Sequence, residues 1–528
     1  MKPRNIASLY PVLFAVSPVL SLYAANIDRV SLTELARTLA VALAASLALL
    51  AVARATLRDG AKAGVYVSVF LLVFFSYQTV MDAAARKMVL GVVVGRHRYV
   101  YAAYVLFLAS LFVLTARSRR DFSLARQFFA VMAVVMMVTP SVRIVHGALT
   151  TLPVDRGKAR WAETAAAEQA RARRVAAAAP TARPDIYYII LDCYLREDVL
   201  KDHYGYDNGE FIDSFRDMGF HVADRSFSNY PCTYMSLASS LNYEYLHTLR
   251  SAVGRTLDTG MLRHLIADNR INRALRELGY ELVFFPSGWD VTADSRFADH
   301  FMSQTRANLS QFEQMLMERS MLKIITVGTR EQRTRVLRTF EMLAQVPRNE
   351  KPTFTFAHIV SPHPPYVFDS SGDLPQLASV PEKELDDEVE AKLYLGQLEY
   401  VTKLAEAAVR EILRQSPDAV IILQSDHGIF LGHIDPRAAS DTPWRDLPDQ
   451  SKRTFARCAA GILNAYRIPG AEAALRDDIS PVNTFRILMN ELFGADYDLL
   501  PDRTFVHGKS RSRAPESLSE LVEWREDN

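Results

Sequence analysis

Five long apolar runs before residue 150 limit what this chain can fold into more than any other feature of its sequence. A helix needs about 20 apolar residues to cross a bilayer, and runs of about that length lie at residues 7–26, 35–56, 63–81, 99–116 and 127–146. Runs that are apolar on all sides are typical of membrane spans and not of a soluble helical bundle. No small-residue cleavage site stands out after the first run, so we interpret it as a span and not as a signal sequence. The sequence therefore predicts a transmembrane domain of five α-helices over residues 1–150.

The distribution of lysine and arginine predicts the orientation of this domain. Basic residues cluster at the N-terminus and in the loops after the second and fourth runs: Lys2, Arg4, Arg54, Arg58, Lys62, Arg117, Arg119, Arg120 and Arg126. Because short basic loops stay in the cytoplasm, we predict an integral protein of the cytoplasmic (inner) membrane whose residues after 150 are extracytoplasmic. The basic stretch 83–98 departs from this rule, and we interpret it as an interfacial or re-entrant segment.

The overall composition excludes two classes of protein. The net charge is +1 over 528 residues, whereas a nucleic-acid partner requires a basic face. The three cysteines, Cys193, Cys232 and Cys458, are too few for a fold that is held together by disulfides. We therefore expect neither a nucleic-acid partner nor a disulfide scaffold.

The pattern changes to alternating strands and helices from residue 185 onwards. Residues 151–184 are rich in Ala and charged residues and predict a helical linker. Apolar runs such as "DIYYIILD" and "DAVIILQSDHG" then alternate with helical segments. This alternation predicts an α/β domain over 185–510, with a mostly parallel sheet covered by helices on both faces. Residues 511–528 are predicted to be a C-terminal tail, and its acidic end "SLSELVEWREDN" is predicted to form a surface helix.

Polar side chains follow four of the predicted strands, and parallel strands end at one edge of their sheet. These residues are Asp192, Ser287 with Trp289, His363, and Asp426 with His427. A strand-end Asp is often a helix cap, and a lone His is often structural. An adjacent Asp and His before a Gly, after a buried strand, instead indicate a metal site. Carboxylate, imidazole and hydroxyl ligands suit Mn²⁺ or Zn²⁺, with Mg²⁺ or Ca²⁺ as alternatives.

The stretch "NYPCTYMSLASSLN" (229–242) offers two candidate nucleophiles. Thr233 could serve as the fourth metal ligand, and coordination would lower the pKa of its hydroxyl. The helix that is predicted to follow would favour an alkoxide and a bound anion at its N-terminus. Cys232 is the alternative, because a thiol is intrinsically more reactive.

Five blocks of sequence, in order, resemble the sulfatase-like branch of the alkaline phosphatase superfamily. They begin "PDIYYIILDCYLREDVL", "SNYPCTYMSLASSLN", "AHIVSPHPPYVFD", "QSDHG" and "GILNAYRIPG", within residues 185–508. This branch includes membrane-anchored lipoteichoic acid synthases and phosphoethanolamine transferases. The resemblance implies one divalent metal ion held by Asp192, Thr233, Asp426 and His427, with Thr233 as the nucleophile. It also implies that His363 contacts the substrate, and it suggests Ser287, Trp289 and His433 as further substrate-binding residues.

Two departures from the family pattern narrow the expected chemistry. Sulfatases convert the first residue of C/S-x-P-x-R to formylglycine, but "CTYMS" lacks both the Pro and the Arg, so Cys232 is not expected to be converted. A second full set of metal ligands cannot be placed, so we expect one metal ion. Whether Cys193 and Cys232 form a disulfide is left open, because sequence does not define their Cβ vectors.

These observations predict a membrane-anchored, metal-dependent transferase. It would move a phosphoglycerol-type or phosphoethanolamine-type head group from a membrane lipid donor to an envelope glycan or lipid acceptor, through a covalent Thr233 intermediate. His363 would position the substrate or protonate the leaving oxygen. One alternative is a sulfatase-like hydrolase of phosphate or sulfate esters. The other is a catalytically inactive envelope-assembly protein.

Overall fold

A computed structural model describes most of the chain and divides it into two compact units. The first, which we call the helical unit, comprises Met1–Leu152 and Leu309–Gly328; the second, the α/β unit, comprises Pro153–Asn308 and Thr329–Asn528. The described residues are 9–27, 30, 32–84, 88–89, 92–93, 97–178, 183–254, 257–292, 295, 298–302, 311–324, 328–346, 351–378, 380, 385–431, 434–435, 442–508 and 518–526.

In the helical unit, each of the five predicted apolar runs contains a helix. The helices are α1 (Leu13–Ala25), α2 (Leu32–Leu57), α3 (Gly60–Phe75), α4 (Tyr77–Ala84), α5 (His97–Arg117) and α6 (Ser123–Ala178). Among the residues that the structure describes, three segments are long and apolar enough to cross a membrane, namely Leu32–Leu57, Tyr99–Arg117 and Ser123–His146. Helices Tyr10–Ala25 and Gly60–Phe75 are apolar but shorter, so the count of five spans remains a prediction.

The predicted interfacial stretch 83–98 contains a small hairpin. Strands β1 (Met88–Val89) and β2 (Val92–Val93) pair antiparallel. The other residues of the stretch belong to the ends of α4 and α5 or lie outside the described residues.

The α/β unit contains most of the remaining elements. Its helices are α7 (Glu197–Tyr204), α8 (Gly209–Asp217), α9 (Thr233–Ser240), α10 (Leu246–Val253), α11 (Thr259–Ala267), α12 (Arg270–Glu277), α14 (Gly328–Leu343), α15 (Asp387–Gln415), α16 (Asp449–Ala460) and α17 (Pro481–Phe493), while α13 (Gln311–Glu318) belongs to the helical unit. Its strands are β3 (Ile186–Leu191), β4 (His221–Val222), β5 (Glu281–Phe285), β6 (His300–Phe301), β7 (Thr353–Ile359), β8 (Val420–Gln424), β9 (Asn464–Arg467), β10 (Thr504–His507) and β11 (Leu521–Trp524).

Seven of these strands form one mostly parallel sheet, as the sequence predicts. Their order is β4-β9-β8-β3-β7-β5-β6. Strand β3 pairs parallel with both β7 and β8, whereas β9 pairs antiparallel with β8 and β4. The three central strands are buried along their whole length, which explains why the sequences of β3 and β8 are apolar without alternation.

Helices cover both faces of the sheet and build two hydrophobic cores. One core joins Tyr188 of β3 to Met235 of α9 and Phe485 of α17. The other joins Ile189, the next residue of β3, to Leu398 of α15. Successive side chains of a strand point to opposite faces, so each core takes alternate residues of β3.

The predicted linker 151–184 is largely a helix packed on the α/β unit. Helix α6 continues to Ala178, and the indole N–H of the fully buried Trp161 donates a hydrogen bond to the carbonyl oxygen of Asp268 at 2.7 Å. Arg171 lies over the ring of Tyr497, with its guanidinium carbon 3.8 Å from the ring centroid. These contacts make this segment a structural part of the α/β unit.

The predicted C-terminal surface helix is wrong. Residues Leu521–Trp524 instead form β11, which pairs antiparallel with β10. The reason is burial of the tail's aromatic residue: Trp524 is buried and contacts the ring of Phe227 edge-to-face, with centroids 5.0 Å apart. The charged residues that suggested a surface helix did not reveal this tertiary contact.

Candidate metal centre and active site

The residues that follow three neighbouring parallel strands lie at one edge of the sheet. Ile190 of β3 lies opposite His358 of β7 and Gln424 of β8. Asp192 comes two residues after Ile190, and Asp426 comes two residues after Gln424. Because the three strands are parallel, these acidic residues come together although they lie far apart in the sequence.

Asp192 is held in place by a chain of hydrogen bonds. Its Oδ2 lies 3.2 Å from Nε2 of His358, and Nδ1 of His358 lies 2.7 Å from the Thr292 hydroxyl. That hydroxyl is in turn 2.6 Å from Ser287 Oγ, which accepts the backbone N–H of Trp289 at 3.0 Å. An ionised Asp192 accepts from the ring N–H of His358, so the chain orients Oδ2 and leaves Oδ1 available.

Asp426 and His427 form the second corner of the site. The Nε2 atom of His427 lies 3.6 Å from Asp426 Oδ2 and 3.7 Å from Asp192 Oδ1. Its Nδ1 atom is 2.8 Å from the carbonyl oxygen of Gly428; this oxygen can only accept, so Nδ1 carries the proton. In its neutral form, His427 therefore presents the lone pair of Nε2 to both carboxylates.

Thr233 completes the cluster from the other side. It is the first residue of α9, after Cys232 in an extended conformation, and its Oγ1 lies 3.2 Å from Nε2 of His427. The Thr233 hydroxyl therefore has the contact with the Asp–His corner that a nucleophile at this site requires. Burial raises the pKa of the Cys232 thiol to about 12, so this thiol is protonated at neutral pH.

The two carboxylates have opposite electrostatic environments. Burial raises the pKa of Asp426, and the negative charge of Asp192 raises it further. Burial also acts to raise the pKa of Asp192, but electrostatic attraction to the imidazoles of His363, His358 and His427, together with the hydrogen bond to His358, outweighs burial and lowers it. Burial acts to lower the pKa of His427, and the two carboxylates raise it overall.

The residues present fit a divalent metal ion. Asp192 Oδ1 and both side-chain oxygens of Asp426 are buried and have no hydrogen-bond partner among the described residues, which is a costly state for a carboxylate in a protein interior. Zinc ligands lie about 2.0–2.2 Å from the ion, so neighbouring ligand atoms in a tetrahedral site are roughly 3.4 Å apart. The separations of 3.6 and 3.7 Å around His427 Nε2 are close to that value. Asp192, His358 and Asp426 also form a set whose ligand atoms lie within 4.8 Å of one another.

The predicted substrate-binding residues take different places. The backbone N–H of His363 donates to the carbonyl oxygen of Asp192 at 3.0 Å, and its Nδ1 lies 2.5 Å from the carbonyl oxygen of Pro364. Trp289 contacts the ring of His363 edge-to-face, with centroids 4.7 Å apart. Ser287 is buried in the hydrogen-bond chain behind His358. His433 lies outside the described residues.

The cysteines are buried thiols in this structure. Cys193, Cys232 and Cys458 form no disulfide. The sulfur of Cys193 lies 3.6 Å from Nδ1 of His427, on the opposite side of the imidazole ring from Nε2. Cys193 therefore packs behind His427.

Comparison with known proteins places this site in a family. A family model described as Sulfatase matches residues 184–454, more than half of the chain. The chain belongs to the sulfatase family. This sulfatase-family chain is accordingly a sulfatase-like enzyme of the hydrolase and transferase kind. No curated protein sequence matches it.

Several solved structures are similar to this sulfatase-family chain. The C-terminal periplasmic domain of EcEptC from Escherichia coli in complex with zinc is 13% identical over 65% of this chain and 93% of its own, with a TM-score of 0.44. The lipoteichoic acid synthase LtaP from Listeria monocytogenes is 14% identical over 65% of this chain and 85% of its own, with a TM-score of 0.38. The soluble domain of lipooligosaccharide phosphoethanolamine transferase A from Neisseria meningitidis is 11% identical over 60% of this chain and 89% of its own, with a TM-score of 0.37.

Two residues of the site were missed by sequence reasoning. His358 is the second-last residue of β7 and has the sequence context of an ordinary strand residue. Thr292 ends a short 3-10 helix, Asp290–Thr292, that carries no motif. The available signal was that a His lies inside a predicted buried strand, "TFTFAHI", where a buried polar side chain needs a partner. That partner is Asp192 on the adjacent strand.

Proposed function

We propose that this protein is a membrane-anchored, metal-dependent transferase that moves a phospho-head group of the phosphoglycerol or phosphoethanolamine type. The donor is a membrane phospholipid, and the acceptor is a hydroxyl of an envelope glycan or lipid. The observation that carries the proposal is the convergence of the Thr233 hydroxyl with His427 and with two buried carboxylates that have unpartnered oxygens among the described residues. A hydroxyl in that setting is suited to nucleophilic attack on phosphorus.

Asp192, Thr233, Asp426 and His427 would hold one divalent ion, Mn²⁺ or Zn²⁺ in our first expectation and Mg²⁺ or Ca²⁺ otherwise. Such an ion supplies positive charge that neutralises phosphate oxygens and lowers the pKa of a hydroxyl. The chain's own contribution is orientation. His358 holds Asp192, and the Gly428 carbonyl fixes the tautomer of His427.

In the first half-reaction, Thr233 Oγ1 forms a bond to phosphorus while the bond from phosphorus to the diacylglycerol oxygen breaks. Thr233 loses a proton and the departing oxygen gains one. His363 is the candidate for delivering that proton, because its Nδ1–H is engaged by Pro364 and its Nε2 remains for the substrate. Trp289 and Ser287 stay candidates for the substrate pocket, with Trp289 packed against the ring of His363.

In the second half-reaction, an acceptor hydroxyl attacks phosphorus and the Thr233 oxygen leaves with the acceptor's proton. The net change is that the head group moves to the acceptor and diacylglycerol remains in the membrane. This sequence of steps predicts ping-pong kinetics. A hydrolase would use water in the second half-reaction and release the free head group.

The membrane assignment is part of the same proposal. Residues 1–150 would cross the inner membrane five times, and residues 185–510 would form the extracytoplasmic catalytic domain. The support is the helix at each apolar run and the basic loops expected in the cytoplasm. This arrangement would present the catalytic domain to lipid donors at the outer surface of the membrane.

The test is mass spectrometry of the intact protein isolated from its native membrane, digested to give the peptide that contains Thr233. We expect an adduct of a phospho-head group on Thr233 and none in the Thr233→Ala variant. Release of free head group without any acceptor would favour the hydrolase. An unmodified Thr233 peptide under slowed turnover, with activity retained in Thr233→Ala, would contradict covalent catalysis.

A further inference from the structure

The end of helix α16 contacts two of the loops that carry the candidate site residues. The last carbonyl oxygens of an α-helix have no partner inside the helix. In α16, the carbonyl oxygen of Ala459 accepts the backbone N–H of Gly428 at 2.9 Å, and that of Ala460 accepts the backbone N–H of Ser228 at 2.7 Å. Gly428 directly follows the Asp–His corner, and Ser228 lies five residues before Thr233. Two successive peptide groups of one helix therefore join the metal corner to the loop of the nucleophile.

The residues that follow α16 contact the third loop, which carries Asp192. The backbone N–H of Leu463 donates to the carbonyl oxygen of Tyr194 at 3.0 Å, and the backbone N–H of Arg196 donates to that of Gly461 at 3.2 Å. The pairing between these two short stretches is antiparallel. The loop after β3 is therefore fixed to the same segment as the other two loops.

This segment also contacts the first two loops a second time. The backbone N–H of Ser425, at the start of the loop after β8, donates to the carbonyl oxygen of Leu463 at 2.8 Å. The backbone N–H of Ile462 donates to the carbonyl oxygen of Ser226 at 3.4 Å. We call residues 459–463 the hub. Main-chain hydrogen bonds of the hub thus connect the loops of both carboxylates and of the nucleophile, although these loops lie far apart in the sequence.

Two glycines allow the main chains to approach this closely. A Cβ atom on Gly428 would overlap the carbonyl oxygen of Cys458. A Cβ atom on Gly461 would lie 2.6 Å from the carbonyl oxygen of Arg457 and 2.8 Å from Cγ2 of Val199. Glycine permits such close backbone contacts because it has no side chain. A side chain at either position would therefore displace the hub from its neighbours.

We propose that the hub is a positioning element that sets the separation between the Thr233 hydroxyl and the residues expected to hold the metal ion. The inference rests on the proposed function, because it takes Thr233 as the nucleophile. All three loops are fixed to one short segment, so a shift of the hub changes their relative positions and with them the 3.2 Å between Thr233 Oγ1 and His427 Nε2. A misplacement of about 1 Å at a reacting group can cost about a hundredfold in rate.

The first test adds one methyl group to the hub of the full-length protein in detergent. In Gly461→Ala, turnover at saturating zinc should fall by about tenfold, measured as diacylglycerol formed from mixed micelles of phosphatidylglycerol and phosphatidylethanolamine. Zinc affinity should also fall by about tenfold, because the ligands are no longer held at the right spacing. The KM for lipid should change by less than about twofold, because the candidate substrate-binding residues lie outside the hub.

A spectroscopic measurement separates positioning from a general loss of stability. Co²⁺ added to the chelator-treated protein in place of zinc has visible absorption bands that depend on the geometry of its ligands. Gly461→Ala should shift or weaken these bands, and an unchanged spectrum would overturn the inference whatever happens to turnover. Cobalt binding needs no substrate. A shifted spectrum together with a wild type that forms no diacylglycerol would therefore refute the proposed function and still support the role of the hub.

The matched control is Gly508, at the end of β10. A Cβ atom there would lie 2.8 Å from the carbonyl oxygen of Glu520, so the added methyl group meets a similar backbone obstacle in the β10–β11 hairpin. Gly508→Ala should lower the melting temperature as Gly461→Ala does, but it should leave turnover, zinc affinity and the cobalt bands as in the wild type. Equal losses of turnover and zinc affinity in the two variants would overturn the inference.

A second pair of variants covers the case in which Gly461→Ala does not fold. Ala456 and Ala460 are both fully buried in α16, one turn apart, and glycine gives either position the same extra backbone freedom. Ala460→Gly should lower turnover by about threefold and alter the cobalt bands, because the Ala460 carbonyl holds the loop of the nucleophile. Ala456→Gly should leave turnover and bands close to those of the wild type. Equal effects of the two substitutions would overturn the positioning role.

Discussion

The two carboxylates at the centre of the site are buried to the same degree but are prepared for a cation in different ways. Asp192, after β3, has one oxygen held by His358 and a pKa that is lowered by three histidines. Asp426, after β8, has two buried oxygens without a hydrogen-bond partner among the described residues and a pKa that is raised. One corner is therefore preorganised, whereas the other depends on a cation to offset its charge.

This difference suggests a division of labour: the Asp192 corner provides fixed geometry, and the Asp426 corner provides the negative charge that favours metal binding. The Asp192 corner can keep its geometry in the absence of metal, because a chain of hydrogen bonds reaches back to Trp289. The Asp426 corner carries a burial cost that bound metal would relieve. Metal addition should therefore stabilise the folded protein by about 2.7 kcal/mol at a hundredfold excess over Kd.

The largest effect on turnover is expected for Thr233, whose hydroxyl contacts His427 in the Asp426–His427 corner. Thr233→Ala should lower turnover by about 10⁴-fold or more, in the range seen when a nucleophile is removed from a group of residues that act together. Zinc should still bind, which isothermal titration of the chelator-treated protein can measure. Thr233→Ser keeps the hydroxyl and is the matched control. Full turnover by Thr233→Ala would exclude Thr233 as the nucleophile.

The second prediction tests the difference between the two corners directly, because each substitution removes the charge of one carboxylate. Both Asp192→Asn and Asp426→Asn should weaken metal binding strongly. In metal-free protein, however, Asp426→Asn should raise the free energy of unfolding, and Asp192→Asn should lower it, each by about 1–3 kcal/mol. The reason is that Asp426 loses an uncompensated buried charge, whereas Asp192 loses a charge-assisted hydrogen bond with His358.

Thermal unfolding of the two chelator-treated variants beside the wild type checks this prediction. Their melting temperatures should move in opposite directions. Two shifts of the same sign would mean that the corners are equivalent, and the division of labour would then be wrong.

The third prediction concerns the residue that holds Asp192. His358→Gln should weaken metal affinity by about 10- to 100-fold, which is typical when a residue that orients a metal ligand is lost. The maximal rate of the metal-saturated enzyme should change much less. A His358→Gln variant that binds zinc as tightly as the wild type would show that Asp192 is oriented without this histidine.

The fold and the candidate metal corners could be predicted from sequence for one physical reason. Parallel strands with apolar runs end at a common edge, so the residues directly after β3 and β8 can be expected to meet from the order of the apolar runs alone. Thr233 could be included through the motif that surrounds it. His358 could not, because its importance comes from a lateral contact across β3 and β7 that the pattern of either strand alone does not contain.

The regions that escaped prediction are those where tertiary contacts override local pattern. The tail at 521–524 has the charges of a surface helix, but Trp524 has a place to pack and the segment becomes a strand. Residues 311–324 group with the helical unit, but they carry no motif that would assign them to it. In both cases the deciding partner lies hundreds of residues away in the sequence.

The smallest effects on zinc affinity are expected for the residues at the far end of the hydrogen-bond chain that holds Asp192. Thr292→Val removes the hydroxyl next to His358, and Ser287→Ala removes the one behind it. Because a neutral hydrogen bond contributes about 1 kcal/mol, Thr292→Val should weaken zinc affinity by about fivefold, and Ser287→Ala should weaken it by about twofold. Titration of zinc into each variant measures both. Unchanged zinc affinity with a raised KM in Ser287→Ala would mean that Ser287 acts on the substrate pocket beside Trp289 and not through His358.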